Sequence, residues 1–212
     1  MSLTPEQIEA NWKKFRALCE KLGDRSTSVL GMLDALDEHL ALAPASGRLD
    51  FHNAFPGGLV DHSLRVLANA NTLIKAYGYN VPKDSLIIGS LFHDLGKVGH
   101  VNPDNSVMDY YLPQDSQWHR DKLGEMYKHN NELPYMTVPH RGVFICQHFG
   151  VKLSHDEFLA IVLNDGFVVQ ENKPYCLKEP LLAHVVMTAD YISTTQEKNS
   201  RQASDKGANS AD

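Results

Sequence analysis

The sequence predicts an all-α protein built as one helical domain. Three observations carry this. Apolar residues recur at three- and four-residue spacing in one segment after another. Those segments open on Thr, Ser or Pro and close on Gly, the residues of helix caps. No internal repeat and no linker splits the 212 residues, so one large domain is expected rather than two small ones.

The elements follow in order. Thr4-Pro5-Glu6-Gln7 opens a helix, with Thr4 as cap, Pro5 at the first helical position and Gln7 completing a capping box. Ile8, Trp12, Phe15, Cys19 and Leu22 keep helical spacing up to Gly23. A second helix fits Ser28 to Leu42, with Leu33, Leu36 and Leu40 on one stripe, and Pro44-Ala45-Ser46-Gly47 is a loop. This pair carries no chemistry and reads as an extension (1–48) packed on the core, with a role in an oligomer contact open. After turn residues at Pro56-Gly57-Gly58, a helix is expected from Leu59 to Tyr77, stopped by Gly78. Pro82 begins the next, which ends at His93-Asp94. From Val98 to Trp118 the pattern is irregular, a long loop or small hairpin of the kind that borders binding sites. His119 to His129 fits a short helix, and Pro139 to Phe149 another. Ser154-His155-Asp156-Glu157 is a capping box for a helix to Asn164. Phe167 to Lys178 reads as a loop with room for a strand pair, and Pro180 starts a last helix to Gln196. The polar segment 197–212 reads as a disordered tail, leaving 49–196 as the functional domain.

Composition narrows the function classes. Apolar (42%) and charged (22%) shares are those of an ordinary globular protein with a sizeable core. A net charge of −6, with no Lys/Arg run, excludes tight sequence-independent binding to duplex nucleic acid. It leaves room for a pocket that takes one nucleotide. Cys19, Cys146 and Cys176 are odd in number and widely spaced, which fits neither a disulfide framework nor a zinc ribbon. With no signal-like N-terminus and no apolar run near 18 residues, a cytoplasmic protein without a membrane span is expected.

The chemistry centres on Ser85-Leu86-Ile87-Ile88-Gly89-Ser90-Leu91-Phe92-His93-Asp94-Leu95-Gly96-Lys97, an apolar helix that ends in an imidazole and a carboxylate. Each needs a partner if buried, and one cation would satisfy both. His62 lies on the preceding helix and can come beside His93 if the two helices run antiparallel. Asp190 is an acid among apolar residues in Met187-Thr188-Ala189-Asp190-Tyr191. A lone His near a helix start is most often a surface or cap residue. Two imidazoles and two carboxylates on three helices form a mixed N/O set suited to Zn²⁺, Mn²⁺, Fe²⁺, Co²⁺ or Ni²⁺, and less to Ca²⁺.

The pattern His62…His93-Asp94-Leu95-Gly96-Lys97…Asp190 resembles the HD superfamily of metal-dependent phosphohydrolases. Phe51-His52-Asn53-Ala54-Phe55-Pro56-Gly57-Gly58-Leu59-Val60-Asp61-His62 is similar to the His-Asn/His-Ala-x-x-Gly-Gly-Leu-x-x-His entry of the branch with HD-type 3′-to-5′ exoribonucleases. The likeness spans roughly residues 50 to 195. It implies a single HD-domain-like helical bundle with His62, His93, Asp94 and Asp190 as ligands of one divalent metal (Mn, Zn, Fe, Co or Ni, with Mg as a further option). Members with a second metal carry further histidines in the central segment. Here Gln147-His148-Phe149-Gly150 has Gln147 where such branches place a histidine, so one metal is expected.

The implied activity is hydrolysis of a phosphate ester, a nucleotide or short oligonucleotide, by a metal-activated water. Asp94 and Lys97 are the catalytic candidates, with Lys97 better read as a phosphate contact than as a ligand. Arg65, His119, Arg120 and His148 are candidates for substrate binding. Phe92, Tyr110, Tyr111 and Trp118 are candidates to stack a base, although packing is the commoner role for each. Two competing readings use the same scaffold: an inactive module that binds a nucleotide or partner, and a two-iron oxygenase. An intact ligand set argues against the first, and the incomplete histidine set against the second.

Overall fold

A computed structural model describes residues 2–208 of the chain. Helix accounts for 61% and strand for 7%, so the all-α class holds. The elements are α1 (Pro5–Cys19), α2 (Ser26–Leu42), α3 (Gly58–Tyr77), α4 (Lys83–Phe92), β1 (Gly99–Val101), β2 (Val107–Asp109), β3 (Tyr111–Pro113), α5 (Gln117–Leu123), β4 (Tyr127–His129), α6 (Val138–His148), α7 (His155–Val162) and α8 (Leu181–Ala208). Short 3₁₀ segments cover Gly23–Arg25, Leu95–Val98 and Gln170–Tyr175.

The caps behave as their chemistry requires. Thr4 with Gln7, and Ser154 with Glu157, form complete capping boxes. Gly78 ends α3 in the left-handed conformation (φ 67°). Helix α3 packs along α8 and α4, and α7 closes against α4 and α8. Small residues allow that approach: a Cβ on Gly89 of α4 would stand 3.1 Å from Val186 of α8. One apolar cluster joins all these helices, with Val66, Ile88, Phe92, Ile161, Val186 and Ala189 at its centre. Phe15, Met32 and Leu33 belong to the same cluster, and the Phe15 ring lies 6.3 Å from that of Phe92. The first two helices therefore share the core from which the His93-Asp94 stretch emerges.

Several sequence expectations are corrected. The segment from 197 is not a disordered tail up to Ala208: α8 continues through it. Residues 209–212 lie outside the described residues. The irregular stretch after Val98 contains the small hairpin expected there, β1 with β2, and in addition β3, which pairs antiparallel with β4 further along the chain. The expected helix from His119 to His129 stops at Leu123, because Gly124 turns left-handed (φ 62°) and the chain enters β4. Between Phe167 and Lys178 there is a 3₁₀ segment instead of a strand pair, anchored by the Asn172 side chain donating to the Gly166 carbonyl at 3.0 Å. Phe92 is fully buried in the core and cannot stack on a base. No helix among the described residues is long and apolar enough to cross a membrane.

Candidate metal centre

The apolar run of α4 places its polar end inside the protein. Helix α4 ends at Phe92, His93 caps it, and Asp94 leaves helical geometry (φ −110°, ψ 13°) into the 3₁₀ turn. Gly96 makes this turn possible. A Cβ there would lie 2.0 Å from the Val138 carbonyl oxygen, so only glycine lets the start of α6 close over the stretch. His93 is fully buried, and its Nδ1–H donates to the Ser90 carbonyl at 2.8 Å. That leaves the lone pair on Nε2.

His62 sits in the second turn of α3, also fully buried. Its Nδ1 lies 3.1 Å from each carboxylate oxygen of Glu197. A carboxylate only accepts, so Nδ1 carries a proton, and Nε2, turned toward the cluster, is the nitrogen that an ion would take in exchange for the second proton. The two Nε2 atoms face each other at 3.3 Å. Asp190 from α8 brings Oδ1 to 2.9 Å from His62 Nε2 and 3.9 Å from His93 Nε2. Asp94 Oδ2 lies 3.5 Å from His93 Nε2.

These separations match donors sharing one ion. At metal–ligand bonds of about 2.1 Å, neighbouring donors stand roughly 3.0 Å apart in octahedral and roughly 3.4 Å apart in tetrahedral geometry. The Asp94 and Asp190 carboxylates converge on the two Nε2 atoms, and positive charge among them, a proton on His62 or a metal ion in its place, offsets their repulsion. The electrostatics agree. Burial opposes charge on His62, but the Asp190 and Glu197 carboxylates outweigh it and raise its pKa to about 10. Burial likewise opposes the Asp94 charge, yet Lys97 foremost, then His93, holds its carboxyl well below the usual range. Lys97 Nζ stands 2.5 Å from Asp94 Oδ2.

The structure therefore brings together four of the sequence-selected residues, His62, His93, Asp94 and Asp190, with Lys97 beside them. It does not bring the others to the cluster. Arg65 binds Glu197 Oε1 (3.1 Å) and Asp61 Oδ2 (3.2 Å), on the side of His62 away from its Nε2. His119 Nδ1 pairs with Ser116 Oγ at 2.7 Å, and Arg120 donates to the Gln114 carbonyl and the Gln117 side chain. His148 Nε2 pairs with Asn105 Oδ1 at 2.8 Å in the β1–β2 turn.

Two residues beside His62 carry no role in the sequence reading. Glu197 was assigned to the tail, although its spacing of seven from Asp190 puts both on one face of a continued α8. His52 lies in the loop before α3, its ring 4.6 Å from that of His62. Burial foremost, then the charge on His62, drives its pKa down to about 3, so it stays neutral. Lys97 also lines a cavity of about 270 Å³ with Tyr110, Tyr111, Tyr127 and His39. His52, Arg65 and Glu197 line a second one of about 410 Å³.

Comparison with known proteins places this geometry. Dihydroneopterin 2′,3′-cyclic phosphate phosphodiesterase of Methanocaldococcus jannaschii is 28% identical over 108 residues, 49% of this chain. The match spans 43% of that relative, less than half its length. No solved structure matches the chain. The HD domain model matches residues 59–195, which include His62, His93, Asp94 and Asp190 and stop short of both His52 and Glu197. With that match covering more than half of its length, the chain belongs to the HD domain family.

Proposed function

We propose that the chain is a metal-dependent phosphohydrolase acting on a phosphate ester of nucleotide size, a nucleotide or short oligonucleotide. The observation that carries this reading is the pair of buried imidazole nitrogens, His62 Nε2 and His93 Nε2, facing each other at 3.3 Å between two carboxylates. His62, His93, Asp94 and Asp190 would hold one divalent transition metal. A bound ion of this kind supplies a Lewis acid for a phosphoryl oxygen and a water acidified toward neutral pH.

The chain's own residues do the rest. Asp94 stays ionised, and its Oδ2, which faces His93 Nε2, also accepts from Lys97. Lys97, cationic beside the cluster and on the wall of the tyrosine-lined cavity, neutralises charge that builds on the phosphate. Glu197 fixes the His62 tautomer that can ligate. Tyr110 and Tyr111 line the same cavity as Lys97 and are the aromatic groups that would stack on a base bound there. The relative's name specifies a cyclic phosphodiester, which favours a diester over a monoester here. A small substrate also suits the acidic net charge.

The test is hydrolysis by protein loaded in turn with Mn²⁺, Co²⁺, Ni²⁺, Fe²⁺, Zn²⁺ or Mg²⁺. Substrates are bis(p-nitrophenyl) phosphate, p-nitrophenyl phosphate, nucleoside 2′,3′-cyclic phosphates and short RNA. Activity should appear with at least one metal and vanish in Asp94→Ala while helicity is retained. Stoichiometric metal binding with no ester cleaved would favour the inactive binding module instead.

A further inference from the structure

His52 lies in the entry motif before the segment matched by the HD domain model and outside the four-residue ligand set, yet its surroundings are those of a ligand. The loop holding it is fixed from several directions. Ser46 Oγ donates to the His52 carbonyl at 2.6 Å. Asn53 adopts a left-handed backbone (φ 44°), its side chain donates to Asp61 Oδ2 at 3.1 Å, and its carbonyl accepts from the Ala45 and Phe55 amides. A Cβ on Gly58 would fall 2.2 Å from the Asn53 carbonyl oxygen, so glycine lets the loop lie on the first turn of α3. The result is an imidazole pressed against His62, whose Nε2 is buried and has no hydrogen-bond partner. Buried polar atoms are rarely left unpaired, and each exception calls for a missing partner.

Two triads have donor atoms within 4.8 Å of one another: His52, His62 and Asp94, and His62, His93 and Asp190. His62 is common to both. Its Nδ1–H is committed to Glu197, so it has one lone pair to give, on Nε2. One lone pair binds one ion. We infer that the two triads are a single site, in which His52 is a fifth protein ligand to the ion held by His62, His93, Asp94 and Asp190. This rests on the metal reading above. Three imidazoles and two carboxylates suit a metal of coordination number five or six, Mn²⁺, Fe²⁺, Co²⁺ or Ni²⁺, rather than tetrahedral Zn²⁺.

Co²⁺ titration by calorimetry, with proton NMR of the Co²⁺-loaded protein, tests this on wild type, His52→Ala, His52→Gln and His93→Ala. Wild type should take one ion per chain and show three exchangeable, hyperfine-shifted imidazole N–H signals. Each His52 variant should bind Co²⁺ at least about tenfold more weakly and show two such signals. The inference is overturned if the His52 variants bind within twofold of wild type and keep all three signals. It is also overturned if wild type takes two ions and the His52 variants lose one while the other keeps its affinity. His93→Ala separates the two levels. If it too binds like wild type, the metal reading itself fails; if it alone loses Co²⁺, only the fifth ligand does. Far-UV circular dichroism of the metal-free proteins checks folding, and His52→Gln decides should His52→Ala not fold.

Discussion

Replacing Glu197 by alanine should weaken metal binding by about 10- to 100-fold, although the residue touches no ion. Its carboxylate reaches His62 Nδ1 through both oxygens at 3.1 Å, and it is 3% exposed while His62 is not exposed at all. Alanine leaves a buried N–H without an acceptor, which costs about 1–3 kcal/mol. It also frees the ring proton to move to Nε2, the tautomer that cannot ligate. A 10- to 100-fold loss is about 1.4–2.7 kcal/mol, so the two magnitudes agree. Arg65 loses a partner as well, but at 42% exposure water replaces it at little cost. Truncation after Gln196 should lower affinity as much as Glu197→Ala, whereas Glu197→Gln, which keeps an acceptor, should lose less. The assay is calorimetric titration with Mn²⁺ at fixed pH and salt. Affinities within twofold of wild type for both Glu197→Ala and the truncation would refute the orienting role.

Metal binding should release one proton, because the ion displaces the proton that Asp190 and Glu197 hold on His62. Apparent affinity should then rise about tenfold per pH unit between pH 7 and 9 and level off above about 10, which titrations in buffers of different ionisation enthalpy would show. In the metal-free protein the same group contributes stability that is complete below the ordinary histidine value of 6.5 and lost as pH rises through about 10; melting temperature against pH reads it. Gly96→Ala should cost at least about 3 kcal/mol, a fall in Tm of roughly 6–12 °C, since its Cβ would meet the Val138 carbonyl at 2.0 Å; a Tm within 2 °C of wild type would contradict this. Arg141→Met should leave stability within about 1 kcal/mol, because the buried guanidinium has Nε and Nη1 unpaired and gains only the Pro134 carbonyl and the Tyr110 ring face; a Tm drop beyond about 6 °C would be evidence against it. Arg25→Ala should destabilise by about 1–3 kcal/mol at neutral pH, and the difference should close as pH falls through the Glu157 value. Burial opposes the Glu157 charge, but Arg25 at 2.7 Å and the Ser154 amide hold its pKa below 4.5, so this stability is present above 4.5 and lost on acidification; urea melts at pH 7 and pH 3 test it.

The parts of the fold that were legible in the sequence are those governed by local chemistry. Thr4, Ser154, Gly78 and the prolines acted where caps act, because a cap is satisfied by its own backbone neighbours. Apolar periodicity placed His62 and Asp190 on helices and His93-Asp94 at the end of one, while the selection of these residues as candidate ligands came from the likeness to the HD superfamily. Composition misled where tertiary contact decides. Residues from 197 on are polar, which reads as disorder, yet Glu197 is drawn into the core by one imidazole. His52 lay within the quoted motif, but a loop has no period from which to infer direction; its orientation comes from Ser46, Asn53 and Gly58, contacts that arise only on folding. The substrate-contact candidates were chosen for side-chain type and local position, such as the spacing of three between His62 and Arg65. In the structure Arg65, His119, Arg120 and His148 are each held by neighbours that sequence spacing did not single out.

His62 ties the architecture to the chemistry. Both groups that act on its two nitrogens come from one helix: Asp190 meets Nε2 and Glu197 meets Nδ1, two turns apart on α8. The register of α8 on α3 therefore sets the metal-facing carboxylate and the tautomer of the imidazole together, and neither can shift without the other. The same pair of helices is clamped a second time, where Asn69 of α3 donates to Ser193 Oγ at 2.8 Å and to Gln196 Oε1 at 3.0 Å. Asn69 follows His62 by seven residues, so the two clamps lie on one face of α3. A sliding α8 would have to break both at once. The length of α8 beyond the matched family segment thus belongs to the proposed site, since a helix ending at residue 195 would carry Asp190 without the carboxylate that holds His62 Nδ1.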